Sequence, residues 1–148
     1  MKISEVLKLD KPTLSFEVFP PKKDTDFAQV EAAATQIAAL NPSYMSVTYG
    51  AGGSTKGLTI RLAEEIQKKY DVAISFLWPH YCVTEKVDAD IKIGWIHTDY
   101  TKIDTDVEMD IKMWQKLDYI VAVSEECKNA FLMKYPNINK DILVIENI

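Results

Sequence analysis

The chain has 148 residues, of which 47% are hydrophobic and 26% charged, with a formal net charge of −5. This size and composition predict one globular domain over residues 1–148. The negative charge opposes binding to nucleic acid or to an anionic membrane surface, and no apolar run is long enough to span a bilayer. The first residues lack a secretory signal, so we expect a cytoplasmic protein. The two cysteines, Cys82 and Cys127, indicate neither a disulfide framework nor a metal site.

Strand and helix patterns alternate along the chain. The predicted strands cover residues 14–19, 44–49, 72–77, 91–97, 119–123 and 142–146. The predicted helices cover residues 26–40, 56–69, 81–87, 106–115 and 125–135. Such alternation predicts a mostly parallel α/β sheet. A closed barrel needs about 250 residues, so we predict an open, doubly wound six-stranded sheet of the Rossmann or flavodoxin type, in three αβα layers. Its natural strand order would be 2-1-3-4-5-6.

A glycine-rich turn, Gly50-Ala51-Gly52-Gly53-Ser54-Thr55, joins the second strand to the second helix. Backbone amides at such a place could hold an anion or a phosphate, but the spacing fits neither common phosphate motif. A tight structural turn is the alternative. A crevice at the strand carboxyl ends could also bind a phosphate, sulfate or nucleotide adventitiously. Its expected lining is Phe19, Gly50, Gly52, Trp78, His80 and His97.

Two motifs in the first half carry a family resemblance. They read Ser15-Phe16-Glu17-Val18-Phe19-Pro20-Pro21-Lys22 and Ser46-Val47-Thr48-Tyr49-Gly50-Ala51-Gly52-Gly53-Ser54-Thr55. This part of the chain resembles the start of methylenetetrahydrofolate reductase, a flavin-containing barrel that passes a hydride from a nicotinamide to methylenetetrahydrofolate. The resemblance implies that Glu17 is the acid that protonates or activates the folate. It also implies a flavin lined by Thr48, Tyr49, Gly50, Ala51 and Gly52.

The chain then departs from that pattern. The family's histidine-leucine-threonine-cysteine segment is expected early in the third strand region, where this chain reads Ile74-Ser75-Phe76-Leu77-Trp78-Pro79. Without the family, Glu17 is interpreted as a strand-end carboxylate in water or in a salt bridge.

The second half carries a different resemblance, in Trp95-Ile96-His97-Thr98-Asp99-Tyr100 and Asp118-Tyr119-Ile120-Val121-Ala122-Val123-Ser124. Residues from about 72 to 148 resemble the N-terminal Rossmann-like domain of a two-domain, GT-B type retaining glycosyltransferase. The resemblance implies that His97 faces the cleft between two domains, as a base or sugar ligand. A strand-terminal histidine with local hydrogen bonds is the alternative.

These two resemblances predict a chimera. Residues 1–71 would be a barrel-derived fragment and residues 72–148 a glycosyltransferase-derived fragment, joined near residues 70–72. On this interpretation the chain is an engineered or recombined scaffold, a de novo protein design without native catalytic activity. Glu17 and His97 would be vestigial, with no cofactor expected beyond a remnant FAD site. We expect a monomer or weak homodimer.

Two alternatives stay open beside the chimera. The first is a weak flavin, folate, phosphate or nucleotide binding module that retains part of a methylenetetrahydrofolate reductase site. The second is a truncated glycosyltransferase-like domain.

Overall fold

In the computed structural model of this chain, residues 12–48, 56–76 and 80–146 are described. The chain divides into two compact units, unit 1 with residues 1–69 and unit 2 with residues 70–148. Within the described ranges, no helix is both long and apolar enough to cross a membrane.

The described residues of unit 1, 12–48 and 56–69, form two parallel strands and two helices. They are β1 (Ser15–Val18), α1 (Phe27–Ala38), β2 (Tyr44–Val47) and α2 (Lys56–Gln67). A short 3-10 turn, Asp24–Asp26, leads into α1. The pairing sets Ser15 opposite Tyr44 and Val18 opposite Val47. After α1, Asn41 adopts a left-handed conformation with φ of 51°, which asparagine tolerates better than most residues, and this turns the chain towards β2.

The core of unit 1 lies between α1 and α2. Its buried side chains include Val18, Phe27, Ala34, Leu62 and Ile66. The Arg61 guanidinium lies 4.0 Å from the centroid of the Phe27 ring and donates to Asp24 Oδ1 at 2.7 Å. Arg61 thereby ties the second helix to the start of the first.

In unit 2, the described residues 70–76 and 80–146 form a four-stranded parallel sheet with connecting helices. The elements are β3 (Val72–Ser75), α3 (Tyr81–Glu85), β4 (Ile91–Ile96), α4 (Val107–Gln115), β5 (Tyr119–Ala122), α5 (Glu125–Lys134) and β6 (Ile142–Val144). A 3-10 turn, Tyr100–Lys102, precedes α4. The strands lie in chain order, β3-β4-β5-β6, and each pairs in parallel with the next.

Side-chain caps start the two longer helices of unit 2. Asp106 Oδ1 accepts a hydrogen bond from Met109 N at 3.1 Å, at the start of α4. Ser124 Oγ accepts one from Cys127 N at 3.2 Å, at the start of α5. Each cap satisfies a backbone donor that the helix itself leaves without a partner.

The core of unit 2 lies on one face of its sheet. Gly94, Ile96, Ile120, Ala122 and Ile142 are buried there. The helices and their ends cover these residues with Tyr100, Met113, Trp114, Leu117, Phe131 and Tyr135. Most of these rings meet edge to face, for example Trp114 and Phe131 at 4.8 Å between centroids, an arrangement that aromatic pairs favour.

The predicted α/β class with parallel strands is confirmed. Within the described ranges the strands form two sheets, one of two strands and one of four. No ladder between them is described, so a single doubly wound six-stranded sheet with the order 2-1-3-4-5-6 stays a prediction. The single domain over residues 1–148 also stays a prediction beside the division into two compact units.

We predict that Gly94→Ala destabilises the protein by about 1–3 kcal/mol, because an added methyl group overpacks the core. A Cβ at position 94 would lie 2.5 Å from Leu117 Cδ1 and 2.8 Å from Trp114 Cζ3. Both neighbouring side chains are fully buried and cannot swing into solvent. Urea unfolding followed by circular dichroism measures the change.

Gly57→Ala is the matched control. A Cβ at this helical position has nothing within 4 Å, and alanine favours a helix by up to about 1 kcal/mol over glycine. Equal stability losses in the two variants would contradict the close packing of β4 against Trp114.

Candidate functional site

The two strands of unit 1 bring a carboxylate and a hydroxyl together. Glu17 lies on β1 and Thr48 directly follows β2. The register sets Glu17 opposite Ser46, two residues before Thr48, so both side chains lie on the same face of the sheet. Thr48 Oγ1 donates a hydrogen bond of 2.5 Å to Glu17 Oε1. Thr48 N donates to Val18 O at 3.0 Å, which extends the pairing of the strands to this point.

This pair, the Glu17–Thr48 site, is open to solvent. Glu17 is exposed and Thr48 is half-buried. Phe19, directly after β1, is 62% exposed. A carboxyl group, a hydroxyl group and an aromatic ring therefore occur together at the carboxyl ends of paired parallel strands. Such strand ends are where α/β proteins usually bind ligands, and this set can exchange a proton and stack against a planar molecule.

Several predicted site residues lie outside the described ranges. They are Tyr49, Gly50, Ala51 and Gly52 of the implied flavin lining, together with Trp78 of the expected crevice. Among the described residues, no group of three or more His, Cys, Asp or Glu side chains could hold a metal ion.

His97 lies in unit 2, just after β4, and is exposed. Its ring centroid is 5.6 Å from that of Phe76 and 6.3 Å from that of Trp95. Trp95 is half-buried on the sheet face opposite Ile96. There its indole stacks on Phe76 at 5.4 Å. Alternation along a strand separates the two faces but does not say which one the helices cover.

His80 was expected to line an open crevice but is fully buried. Its Nε2 lies 3.0 Å from Tyr100 Oη, and its ring centroid lies 4.5 Å from that of Trp114. Burial lowers the pKa of His80 to about 4, while the Asp110 carboxylate and the Ser75 carbonyl act in the opposite sense. His80 Nδ1 nevertheless makes no hydrogen bond of good geometry. A neutral imidazole at this place stabilises the core and does not meet a ligand.

Asp110 is a buried carboxylate that sequence reasoning missed. It accepts hydrogen bonds from Tyr135 Oη at 2.6 Å and from Tyr81 Oη at 3.3 Å, and so joins α4 to α3 and to the end of α5. Burial raises the pKa of Tyr135, and the bond to Asp110 raises it further. The sequence signal of its burial was the helical spacing, which places Asp110 on the same face of α4 as Met113 and Trp114. Both tyrosines satisfy the carboxylate, which indicates a structural role.

The fold and the Glu17–Thr48 site define an α/β protein with a proton-exchanging group at the carboxyl ends of its parallel strands. A sequence model of the methylenetetrahydrofolate reductase family matches residues 2–92. The chain therefore belongs to the methylenetetrahydrofolate reductase family.

Individual relatives agree with this assignment. The chain is similar to methylenetetrahydrofolate reductase (NADH) 1 of Arabidopsis thaliana, with 33% identity over 66 residues, which is 45% of this chain and 11% of that protein. The protein of the same name from Zea mays is 36% identical over the same shares. The 5,10-methylenetetrahydrofolate reductase of Buchnera aphidicola is 29% identical over 83 residues, 56% of this chain and 27% of that protein. The chain thus spans about a tenth of the plant relatives and about a quarter of the bacterial one.

The prediction of an engineered or recombined chimera without catalytic activity is wrong, and so are its descriptions as a de novo or designed protein. The family match runs to residue 92. It therefore passes through the predicted join near residue 71 and includes β3, α3 and the first residues of β4. A change of one expected motif after β3 was misinterpreted as the end of the family.

We predict that His80 makes the protein less stable in acid. The pKa of His80 is about 4 in the folded chain and 6.5 in its ordinary state, so the free energy of unfolding keeps its full value above about pH 6.5. This stability is lost as the pH falls towards 4, because the unfolded chain binds the proton at a higher pH than the folded chain does. The loss amounts to about 3 kcal/mol. Urea unfolding at several pH values should give a shallower pH dependence for His80→Gln than for the wild type.

His97→Gln is the control, since it replaces the chain's other histidine at an exposed position. It should keep the wild-type pH dependence. An unchanged pH dependence in His80→Gln would contradict a buried, neutral imidazole at position 80.

Proposed function

We propose that this chain supplies part of the active site of a methylenetetrahydrofolate reductase-type oxidoreductase, with Glu17 as the acid that protonates or activates the folate. The observation that carries the proposal is the hydrogen bond from Thr48 to Glu17 at the carboxyl ends of β1 and β2. Membership of the family over residues 2–92 supports it. Because the chain spans a small share of its relatives, the whole reaction and its nicotinamide donor are part of the proposal.

The geometry suits a general acid. Thr48 engages one oxygen of the carboxyl group, Oε1, and restricts its rotation. Within the ranges that the structure describes, Oε2 has no hydrogen-bond partner and the side chain is exposed, so it can reach a ligand. A general acid must lie within hydrogen-bond reach of the group that it protonates. Thr48 therefore acts as a positioning residue for Glu17.

The described residues fit a flavin in their chemistry. Thr48 offers a hydroxyl that can accept a further hydrogen bond, and Phe19 offers an exposed ring against which a planar ring system can stack. We propose that these two residues contribute to holding FAD, together with the predicted residues 49–52. When bound, the flavin would supply the hydride that reduces the folate.

The resemblance of residues from about 72 to 148 to a glycosyltransferase domain stays a prediction. Of these residues, 93–148 lie beyond the family match. On this interpretation the base or sugar ligand would be His97, whose aromatic neighbours are Phe76 and Trp95.

An FAD titration of the purified chain, followed by flavin fluorescence, tests the proposal. We expect saturable binding that Thr48→Ala weakens about five- to tenfold, since one neutral hydrogen bond contributes about 1 kcal/mol. Glu17→Gln should leave FAD binding within about twofold of the wild type. It should also weaken folate binding to the FAD-loaded chain, because the amide cannot donate an acid proton to the folate.

Thr35→Ala is the matched control. Thr35 is exposed on α1, and its hydroxyl donates to Glu31 O at 2.9 Å. No FAD binding by a folded wild-type chain, or equal weakening by Thr48→Ala and Thr35→Ala, would refute this assignment.

A further inference from the structure

Two adjacent lysines, Lys22 and Lys23, follow β1 directly after a pair of prolines. Both lysines are exposed, whereas Pro21 before them is buried. The Asp24 carboxylate after them binds the Arg61 guanidinium at 2.7 Å. The two lysines therefore lie between two points at which the chain is fixed to the rest of unit 1.

Neither lysine has an acidic partner within the ranges that the structure describes. The ion pairs found there join other residues, namely Arg61 to Asp24, Lys68 to Glu65, Lys102 to Asp99 and Lys116 to Glu85. Residues 1–69 contain nine basic and eight acidic side chains, a formal charge of +1, while the whole chain carries −5. The ammonium groups of Lys22 and Lys23 therefore lie in the less acidic unit and can bind an anion.

The two lysines occur at the same end of unit 1 as the Glu17–Thr48 site. The loop from β1 to α1 begins at the carboxyl end of β1, where Glu17 and Thr48 meet. Phe19, the exposed ring beside that site, precedes Lys22 by three residues, so their Cα atoms are at most about 11 Å apart. A lysine side chain adds a flexible four-carbon stem. An anionic tail attached to a planar ring on Phe19 is therefore within reach of Lys22.

We propose that Lys22 and Lys23 bind the anionic tail of a planar ligand whose ring lies at the Glu17–Thr48 site. This inference rests on the proposed function, because it takes the position of the ring from there. Two ligands of that function combine a planar ring with an anionic tail. FAD carries a diphosphate, and a folate carries the carboxylates of its glutamate. A lysine ammonium group attracts either one as a point charge, so both tails share one recognition chemistry.

Unit 1 contains a second pair of adjacent lysines, which serves as the matched control. Lys68 and Lys69 follow α2 and are exposed. Lys69 lines a small pocket together with Ala38, the last residue of α1. That end of α1 leads into the amino end of β2, which is the opposite end of the sheet from the Glu17–Thr48 site. Removing either pair changes the formal charge by the same amount, but only the first pair lies near the site.

Isothermal titration calorimetry of the full chain with FAD, riboflavin, folate and pteroate tests the proposal. Riboflavin lacks the diphosphate, and pteroate lacks the glutamate. The double variant Lys22→Gln/Lys23→Gln should weaken the binding of FAD, of folate or of both about three- to tenfold, because exposed charge pairs contribute modestly. It should leave riboflavin and pteroate within about twofold of the wild type. Added sodium chloride should weaken the affected binding more in the wild type than in this variant. Lys68→Gln/Lys69→Gln should leave all four affinities unchanged.

The pattern of weakening identifies the tail. Weakening of FAD alone assigns the two lysines to the diphosphate, and weakening of folate alone assigns them to the glutamate. Unchanged binding of both anionic ligands overturns the inference and leaves the proposed function standing. Equal weakening of riboflavin and FAD, or equal effects of the two double variants, also overturns it. Circular dichroism checks that both variants are folded.

A wild-type chain that binds none of the four compounds refutes the proposed function. Inorganic pyrophosphate then decides the inference separately. It must shift the backbone amide resonances of Lys22 and Lys23 in nuclear magnetic resonance spectra of the wild type. Without such a shift, the inference fails as well.

Discussion

Position 94 of β4 carries no side chain, and the Trp114 and Leu117 side chains pack into the space this leaves. The other parts of unit 2 are arranged around that contact. Trp114 meets the rings of His80, Tyr100 and Phe131, and one turn earlier on α4 Asp110 binds two tyrosines. The close approach of α4 to β4 therefore fixes where α3 and α5 pack. The same helices leave the opposite face of the sheet with its apolar residues exposed.

Periodicity and turn residues sufficed to predict the elements. Each predicted strand and helix has a counterpart in the structure. Local signals did not determine which sheet face is covered, because that depends on where the following helix packs. His80 was placed wrongly in an open crevice for this reason. Its burial does not follow from its neighbours in sequence.

The Glu17–Thr48 site was predicted from a family resemblance and not from the pattern of residues. Without that resemblance, Glu17 is an ordinary strand-end carboxylate, and its contact with Thr48 depends on the register of β1 with β2. The interpretation of the second half failed differently. A changed motif at residues 74–79 suggested another origin, yet the family match continues through β3 and α3 to residue 92.

The sequential strand order of unit 2 has a kinetic consequence. Val72 pairs with Ile91, Ile93 with Tyr119, and Ile120 with Ile142, so each ladder joins residues about 20 to 26 positions apart. Closing such loops costs conformational entropy before the strand contacts compensate it, so parallel sheets fold slowly, but the sequential order keeps each closure shorter than one that spans the whole unit. During synthesis, each new strand can add to the one already formed as soon as its helix has left the ribosome. Assembly of this unit need not wait for its last strand.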